Sequence, residues 1–153
     1  MGQVTHQQAD LMLKLYDLRR EPKMRQARQW FVESCYANSL QELREKFPPT
    51  SDESTYFRML TSYWEMCAGL VNRGLIDDEL FFENNGEAWL VFDRVKHLLP
   101  EWRTAFKNPL MLKQLEALSQ RFEAWRERTA PGANDVIRQF LEQMRQAKAK
   151  AAR

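Results

Sequence analysis

The chain has 153 residues, 44% of them hydrophobic, which is the size of one domain and argues against disorder of the whole chain. A formal net charge of +2, from 23 basic and 21 acidic side chains, is too close to neutral to indicate nucleic acid or a membrane surface by itself. The 2 cysteines form no metal-binding or disulfide motif, and the longest apolar run, residues 88–92, is far shorter than the ~20 residues that cross a bilayer. We therefore predict a cytoplasmic protein with one helical domain over residues 1–146, no transmembrane segment and no cofactor.

In chain order, apolar residues recur with the period of an α-helix and never alternate as in a strand, which predicts an all-α bundle of six to seven helices. The first helix should run from about Thr5 to Arg19. The second begins at Pro22, because proline suits the first turn of a helix. Ser39, as the first residue of a capping box, predicts a short third helix over residues 40–46.

The bundle should be built around an aromatic-rich helix over about residues 52–73. Thr50 begins a second capping box there, and Gly74 sits where a left-handed residue would end the helix. The apolar residues cover so wide an arc that we expect neighbours on more than one side. They are Tyr56, Phe57, Leu60, Tyr63, Trp64, Cys67, Ala68, Leu70 and Val71.

Asp77 can cap a short helix after this one, and a further helix should start near Glu87. Pro100 interrupts that helix, so we predict a break near residues 97–99. The apolar seam of the same helix continues inward to Phe106.

Two helices follow before the chain ends. Asn108-Pro109 predicts the start of the first, and Asn134 should cap the second. The last helix should direct Phe140 and Met144 inward. The tail over residues 147–153 has no apolar anchor and is predicted to fray.

The middle of the chain resembles a known family. Residues 70–80 read Leu-Val-Asn-Arg-Gly-Leu-Ile-Asp-Asp-Glu-Leu, after the aromatic helix with Trp64 and before a helix with Trp89. This order is similar to a bacterial helical family catalogued only as a domain of unknown function. The resemblance spans about residues 56–102, and more loosely residues 15–31. It implies an all-α fold and a bacterial source, and it transfers no catalytic or binding residue.

The first candidate site is an acidic segment, residues 77–87, with five acidic and no basic side chains. In one interpretation some of the aromatic residues in or beside this segment are exposed, and aromatic groups rimmed by charge are typical of interaction surfaces. This pattern favours a non-enzymatic module that binds an unidentified protein or a second copy of itself. The alternative, that the aromatic rings pack between helices, stays open. The candidate interaction surface comprises Asp77, Asp78, Phe81, Phe82, Glu83 and Trp89.

The second candidate site is basic and would serve a nucleic-acid-associated protein, together with the basic C-terminal tail. A solvated helix face is the plainer interpretation, because no stacking aromatic groups are interleaved with the charges. The basic and acidic segments can also meet, within one molecule or between two copies. The candidate basic surface comprises Arg19, Arg20, Lys23, Arg25 and Arg28.

A third function class, an enzyme or metal protein of unfamiliar type, depends on isolated side chains. Asp93, His97 and Glu101 are spaced four apart and would share a face of one unbroken helix. The apolar seam places the first two outward, and Pro100 disturbs the register before Glu101.

Glu65 is the remaining carboxylate of interest, because it lies within the aromatic helix. A buried carboxylate needs a partner, and Arg58 and Arg73 lie too far along the helix to supply it. We therefore expect a structural glutamate paired with another helix, with a catalytic acid of raised pKa as the alternative.

Overall fold

A computed structural model describes residues 2–153, and its regular elements there are all helical. The all-α prediction is confirmed. The predicted count of six to seven helices is wrong, because breaks at short turns divide the described chain into nine α-helices. These are α1 (His6–Arg19), α2 (Pro22–Ser34), α3 (Leu40–Lys46), α4 (Asp52–Asn72), α5 (Asp78–Asn84), α6 (Gly86–Val95), α7 (Leu99–Ala105), α8 (Lys113–Thr129) and α9 (Ala133–Ala151). In the described residues no helix is long and apolar enough to cross a bilayer.

Two helix caps predicted from the sequence, Ser39 and Asp77, lie at the predicted positions, and a third is displaced by one residue. The Ser39 hydroxyl accepts the N–H of Glu42 at 3.1 Å and opens α3. The Asp77 carboxylate accepts the N–H of Leu80 at 3.0 Å and opens α5. The cap of α4 is Ser51, one residue beyond the predicted Thr50.

The chain folds into two compact units, one ending at Ser119 and the other over Gln120–Arg153. In the first unit, α4 packs against α2 and α6. Leu60, Trp64 and Cys67 in α4 are completely buried, as the wide apolar arc predicts. Gly74, with φ of 76°, follows the last turn of α4 in the left-handed conformation that glycine adopts without strain.

The predicted break near residues 97–99 is confirmed, because a short 3-10 turn over Lys96–Leu98 separates α6 from α7. The inward direction predicted for Phe106 is wrong: its side chain lies one residue beyond α7 and is 60% exposed. The predicted helix start at Asn108-Pro109 is also wrong. Leu112 has φ of 52°, a left-handed conformation that cannot continue a helix, so α8 begins only at Lys113.

The second unit contains the end of α8 and all of α9. Asn134 does not cap α9, because Gly132 with φ of 82° precedes the helix. The Asn134 amide is buried and donates to the Glu123 carbonyl at 3.1 Å instead. Phe140 and Met144 are 59% and 46% exposed, which corrects their predicted inward direction.

α9 continues to Ala151, so most of the predicted frayed tail is helical and exposed. Fraying concerns motion rather than average structure. It stays a prediction, as does the single domain over residues 1–146.

Candidate functional site

The aromatic residues of the acidic segment are buried. Phe81, Phe82 and Trp89 are 0%, 4% and 1% exposed, so the interpretation in which some of them are exposed is wrong and the alternative, that they pack between helices, is confirmed. The reason is helical periodicity, which directs all three from α5 and α6 toward the core, where the Trp64 and Phe81 rings meet edge to face with centroids 6.3 Å apart. The surface there is acidic, with Glu83 exposed, and lacks these three rings.

The acidic and basic segments meet within one molecule. Arg28 Nε donates to both carboxylate oxygens of Glu87 at 3.0 Å, and an Nη2–Oε2 contact of 2.9 Å completes the pair. Trp64 Nε1 donates to the same carboxylate at 3.2 Å. This network joins α2, α4 and α6, so Arg28 and Glu87 serve the fold.

Arg19 and Arg20 lie against aromatic rings rather than projecting freely. The Arg19 guanidinium lies 5.6 Å from the Trp64 ring centroid and 5.4 Å from that of Tyr16, distances at which a cation and a ring attract. Arg20 lies 5.5 Å from the Tyr16 ring. Lys23 and Arg25 are exposed, so only part of the candidate basic surface consists of solvated charges.

Glu65 has its partner on another helix, as expected. Its two carboxylate oxygens accept the backbone N–H groups of Gln114 and Leu115 at 3.1 and 2.7 Å. These N–H groups belong to the first turn of α8, where a helix has no internal acceptor for them. The carboxylate of α4 therefore caps α8 from outside, which confirms the structural interpretation of Glu65.

The Asp93, His97 and Glu101 array does not form a metal site. The 3-10 turn shifts the register between α6 and α7, His97 Nε2 lies 2.7 Å from the Ala37 carbonyl, and Asp93 pairs with Lys96 at 2.8 Å. Across residues 2–153, no group of three or more His, Cys, Asp or Glu side chains is arranged to hold a metal ion.

The two thiols are inert groups of the first unit. Burial raises the pKa of Cys35 to about 12, although Arg94 and Lys46 oppose the rise. Burial also raises the pKa of Cys67 to about 12, against the opposing effects of Tyr63 and Arg19. Both therefore stay protonated at neutral pH, where the thiolate is the nucleophilic form.

The first unit contains an aromatic cleft where α2, α3, α4 and the end of α7 meet, with a volume of about 250 Å³. Its walls combine aromatic and aliphatic side chains with two guanidinium groups and a hydroxyl. The lining residues are Trp30, Leu40, Leu43, Arg44, Phe47, Pro49, Ser54, Phe57, Arg58, Trp102 and Phe106.

Ring contacts hold the walls of the aromatic cleft in place. Trp30 and Phe47 meet edge to face with centroids 4.9 Å apart and planes at 87°. Phe57 and Trp102 lie 5.3 Å apart. Leu40 from α3 is buried, and Phe106 is 60% exposed, so apolar surface extends from the cleft to solvent.

Trp30 also carries a polar group without a partner. Its indole Nε1 is buried and has no acceptor among residues 2–153, an arrangement that costs about 1–3 kcal/mol. Unpaired buried donors are rare in folded proteins. The cleft could not be predicted from the sequence, because the cavity depends on how α3 and the end of α7 approach α2 and α4.

Comparison with known proteins gives a family but no relative of known function. A family model described as a domain of unknown function, DUF4760, matches residues 4–122. This range includes the whole aromatic cleft and ends before α9. No curated protein and no solved structure matches the chain. The bacterial source implied by the resemblance stays a prediction.

Proposed function

Since the chain belongs to the DUF4760 family, a domain of unknown function, we propose a function from its geometry: it is a protein-interaction module whose aromatic cleft takes a large apolar side chain of a partner. The observation that carries this proposal is the cleft itself, about 250 Å³ of space walled by aromatic and aliphatic groups. Protein interfaces depend on such pockets, because an aromatic or aliphatic anchor buried in one supplies much of the binding energy.

The size of the aromatic cleft suits one anchoring side chain. A cavity of about 150 Å³ holds a benzene molecule, so the cleft can take a phenylalanine, leucine or tryptophan side chain. Burying an aromatic side chain removes roughly 150–250 Å² from water, a gross gain of about 4–6 kcal/mol. After the cost of association, a short peptide with one anchor should bind with a Kd in the micromolar to millimolar range.

The chemical groups of the lining favour binding. Aromatic rings and leucine side chains offer van der Waals contact, and a guanidinium group offers N–H donors, so these groups suit holding a ligand. Phe106 extends the apolar lining outward, where a partner's neighbouring residues would pass. The buried free thiols Cys35 and Cys67 suit a reducing compartment, so we place this binding in the cytoplasm.

Peptide selection tests the proposal without knowledge of the partner. Peptides selected from a random display library against the full chain should require one aromatic or leucine residue for binding. Phe106→Ala should weaken the peptides at least fivefold, because it removes a lining ring that is 60% exposed and contributes little to stability. Leu43→Trp should abolish binding by filling the cleft, provided that its circular dichroism stays native.

A matched control comes from the same part of the chain. Leu110 is 70% exposed and does not line the aromatic cleft, so Leu110→Ala should leave peptide affinity unchanged. Peptides that bind wild type, Phe106→Ala and Leu110→Ala equally would show that the cleft is not the binding site.

A further inference from the structure

Two arginines line the aromatic cleft without an acidic partner. We infer that the cleft selects an acidic segment, in which an apolar anchor residue is flanked by carboxylates that pair with Arg44 and Arg58. This inference rests on the proposed function and adds the charge of the partner to it.

Arg44, on α3, is exposed and makes no ion pair within 4.0 Å in residues 2–153. Arg58, on α4, is also exposed, and its Nη2 donates only to the Thr55 hydroxyl, at 3.3 Å. Two other arginines of the first unit do have acidic partners: Arg28 pairs with Glu87 at 2.9 Å and Arg103 with Glu116 at 3.1 Å. The guanidinium groups at the cleft are thus available to an incoming anion.

The cleft itself supplies no negative charge. Asp52 and Glu53 stand in the first turn of α4, but neither lines the cleft, and no lining residue is acidic. The charged groups that line the cleft are therefore two guanidinium groups beside apolar walls. Walls of low dielectric strengthen charge interactions at their edge.

Carboxylates match these two groups better than other ligands do. A guanidinium presents a planar set of N–H donors that can pair with both oxygens of a carboxylate. A basic segment would face two like charges, and a neutral one would leave both arginines hydrated and unpaired. An anchor flanked by glutamate or aspartate fills the apolar walls and pairs the arginines at the same time.

Three peptides that differ only in flanking charge test the inference: acetyl-Glu-Glu-Phe-Glu-Glu-amide and its counterparts with glutamine and with lysine. Binding to the full chain is measured by titration calorimetry at low salt and at about 0.5 M NaCl, where exposed charges are strongly screened. The glutamate peptide should bind roughly tenfold more tightly than the glutamine peptide at low salt, and the ratio should shrink at high salt. The lysine peptide should bind most weakly.

Variants matched in charge locate the effect. Arg44→Gln with Arg58→Gln should remove the preference for glutamate, so that the glutamate and glutamine peptides bind this variant with equal affinity. Lys23→Gln with Arg25→Gln removes the same charge from exposed positions outside the cleft, so it should keep the preference. Equal losses in both double variants would show a nonspecific charge effect and overturn the inference.

The outcomes separate this inference from the proposed function. Equal affinity for the glutamate and glutamine peptides, with both weakened by Phe106→Ala, would overturn the acidic partner and keep the cleft as a binding site. Stronger binding of the lysine peptide would also overturn it. Binding of all three peptides unaffected by Phe106→Ala would overturn the proposed function itself.

Discussion

The Glu65 carboxylate on α4 accepts the backbone N–H of Leu115 on α8, with 2.7 Å between Oε2 and N. Helix starts are usually capped by a serine, threonine, aspartate or asparagine just before the first turn. The residue before α8 is Leu112, in a left-handed conformation with φ of 52° and with no oxygen in its side chain. The central helix α4 therefore supplies the cap that the local sequence lacks.

Removing this cap should destabilise the first unit. Glu65→Ala leaves the N–H groups of Gln114 and Leu115 without their acceptor, and we expect a loss of about 1–3 kcal/mol in the free energy of unfolding. Glu65→Gln should cost less, because one amide oxygen can still accept. Urea unfolding followed by circular dichroism measures both, with the exposed Ser62→Ala as control. Equal stability of wild type and Glu65→Ala would contradict the capping role.

Arg28 and Glu87 should contribute to stability jointly, and Glu87 should contribute further through its hydrogen bond to the Trp64 indole. The two side chains are 30% and 15% exposed, so the pair is shielded only in part, and a double-mutant cycle should give a coupling energy of about 1–2 kcal/mol. Glu87→Ala should cost more than Arg28→Ala, because it also removes the acceptor of the buried Trp64 indole. Single losses that add within about 0.5 kcal/mol would show no coupling.

Phe81 and Trp89 should behave as core residues. Both are buried, so Phe81→Ala or Trp89→Ala should lower the free energy of unfolding by about 3–5 kcal/mol through the cavity that each leaves. Glu83→Gln, on the exposed side of α5, should stay within about 0.5 kcal/mol of wild type. Thermal unfolding distinguishes the two core variants from the surface variant Glu83→Gln. An unfolding temperature of Phe81→Ala equal to that of the wild type would contradict the burial of Phe81.

Both thiols should be unreactive in the folded chain. The free energy of unfolding should also fall at alkaline pH, where the thiols of the unfolded chain ionise more readily than the buried ones. Burial raises the pKa of Cys35 from 9.0 to about 12, so folding favours the protonated thiol. This contribution to stability is fully present below about pH 9 and is lost as the pH rises toward 12. Iodoacetamide followed by mass spectrometry should leave Cys35 and Cys67 unmodified at pH 8 and modify both in concentrated guanidinium chloride. Rapid modification of the native chain would show that the thiols are accessible.

The helical class followed from the sequence because apolar periodicity and the caps at Ser39 and Asp77 are local signals. The start of α8 could not be predicted in the same way. Asn108-Pro109 is a strong local start signal, yet the chain stays irregular to Leu112, and the cap comes from Glu65, distant in sequence.

The candidate sites, like the start of α8, could be predicted only in part from local sequence signals. The charge pattern indicated that acidic and basic segments could meet, and Arg28 and Glu87 do so. Nothing local distinguishes Phe81, which is buried, from Phe106, which is 60% exposed, because the difference arises from the packing of neighbouring helices. The aromatic cleft has the same origin, since its lining comes from separate parts of the sequence.

The claim that the aromatic cleft is a binding site is tested most directly by NMR of the indole N–H groups, of which the chain has five. Acetyl-Glu-Glu-Phe-Glu-Glu-amide and its glutamine counterpart are titrated separately into 15N-labelled protein, with signals assigned from single Trp→Phe variants, and a shift with either peptide counts as binding. The signals of Trp30 and Trp102, which line the cleft, should shift in a saturable way, while those of the buried Trp64 and Trp89 stay in place. Saturable shifts confined to Trp64 and Trp89, or no shift of Trp30 and Trp102 at millimolar peptide, would contradict the claim.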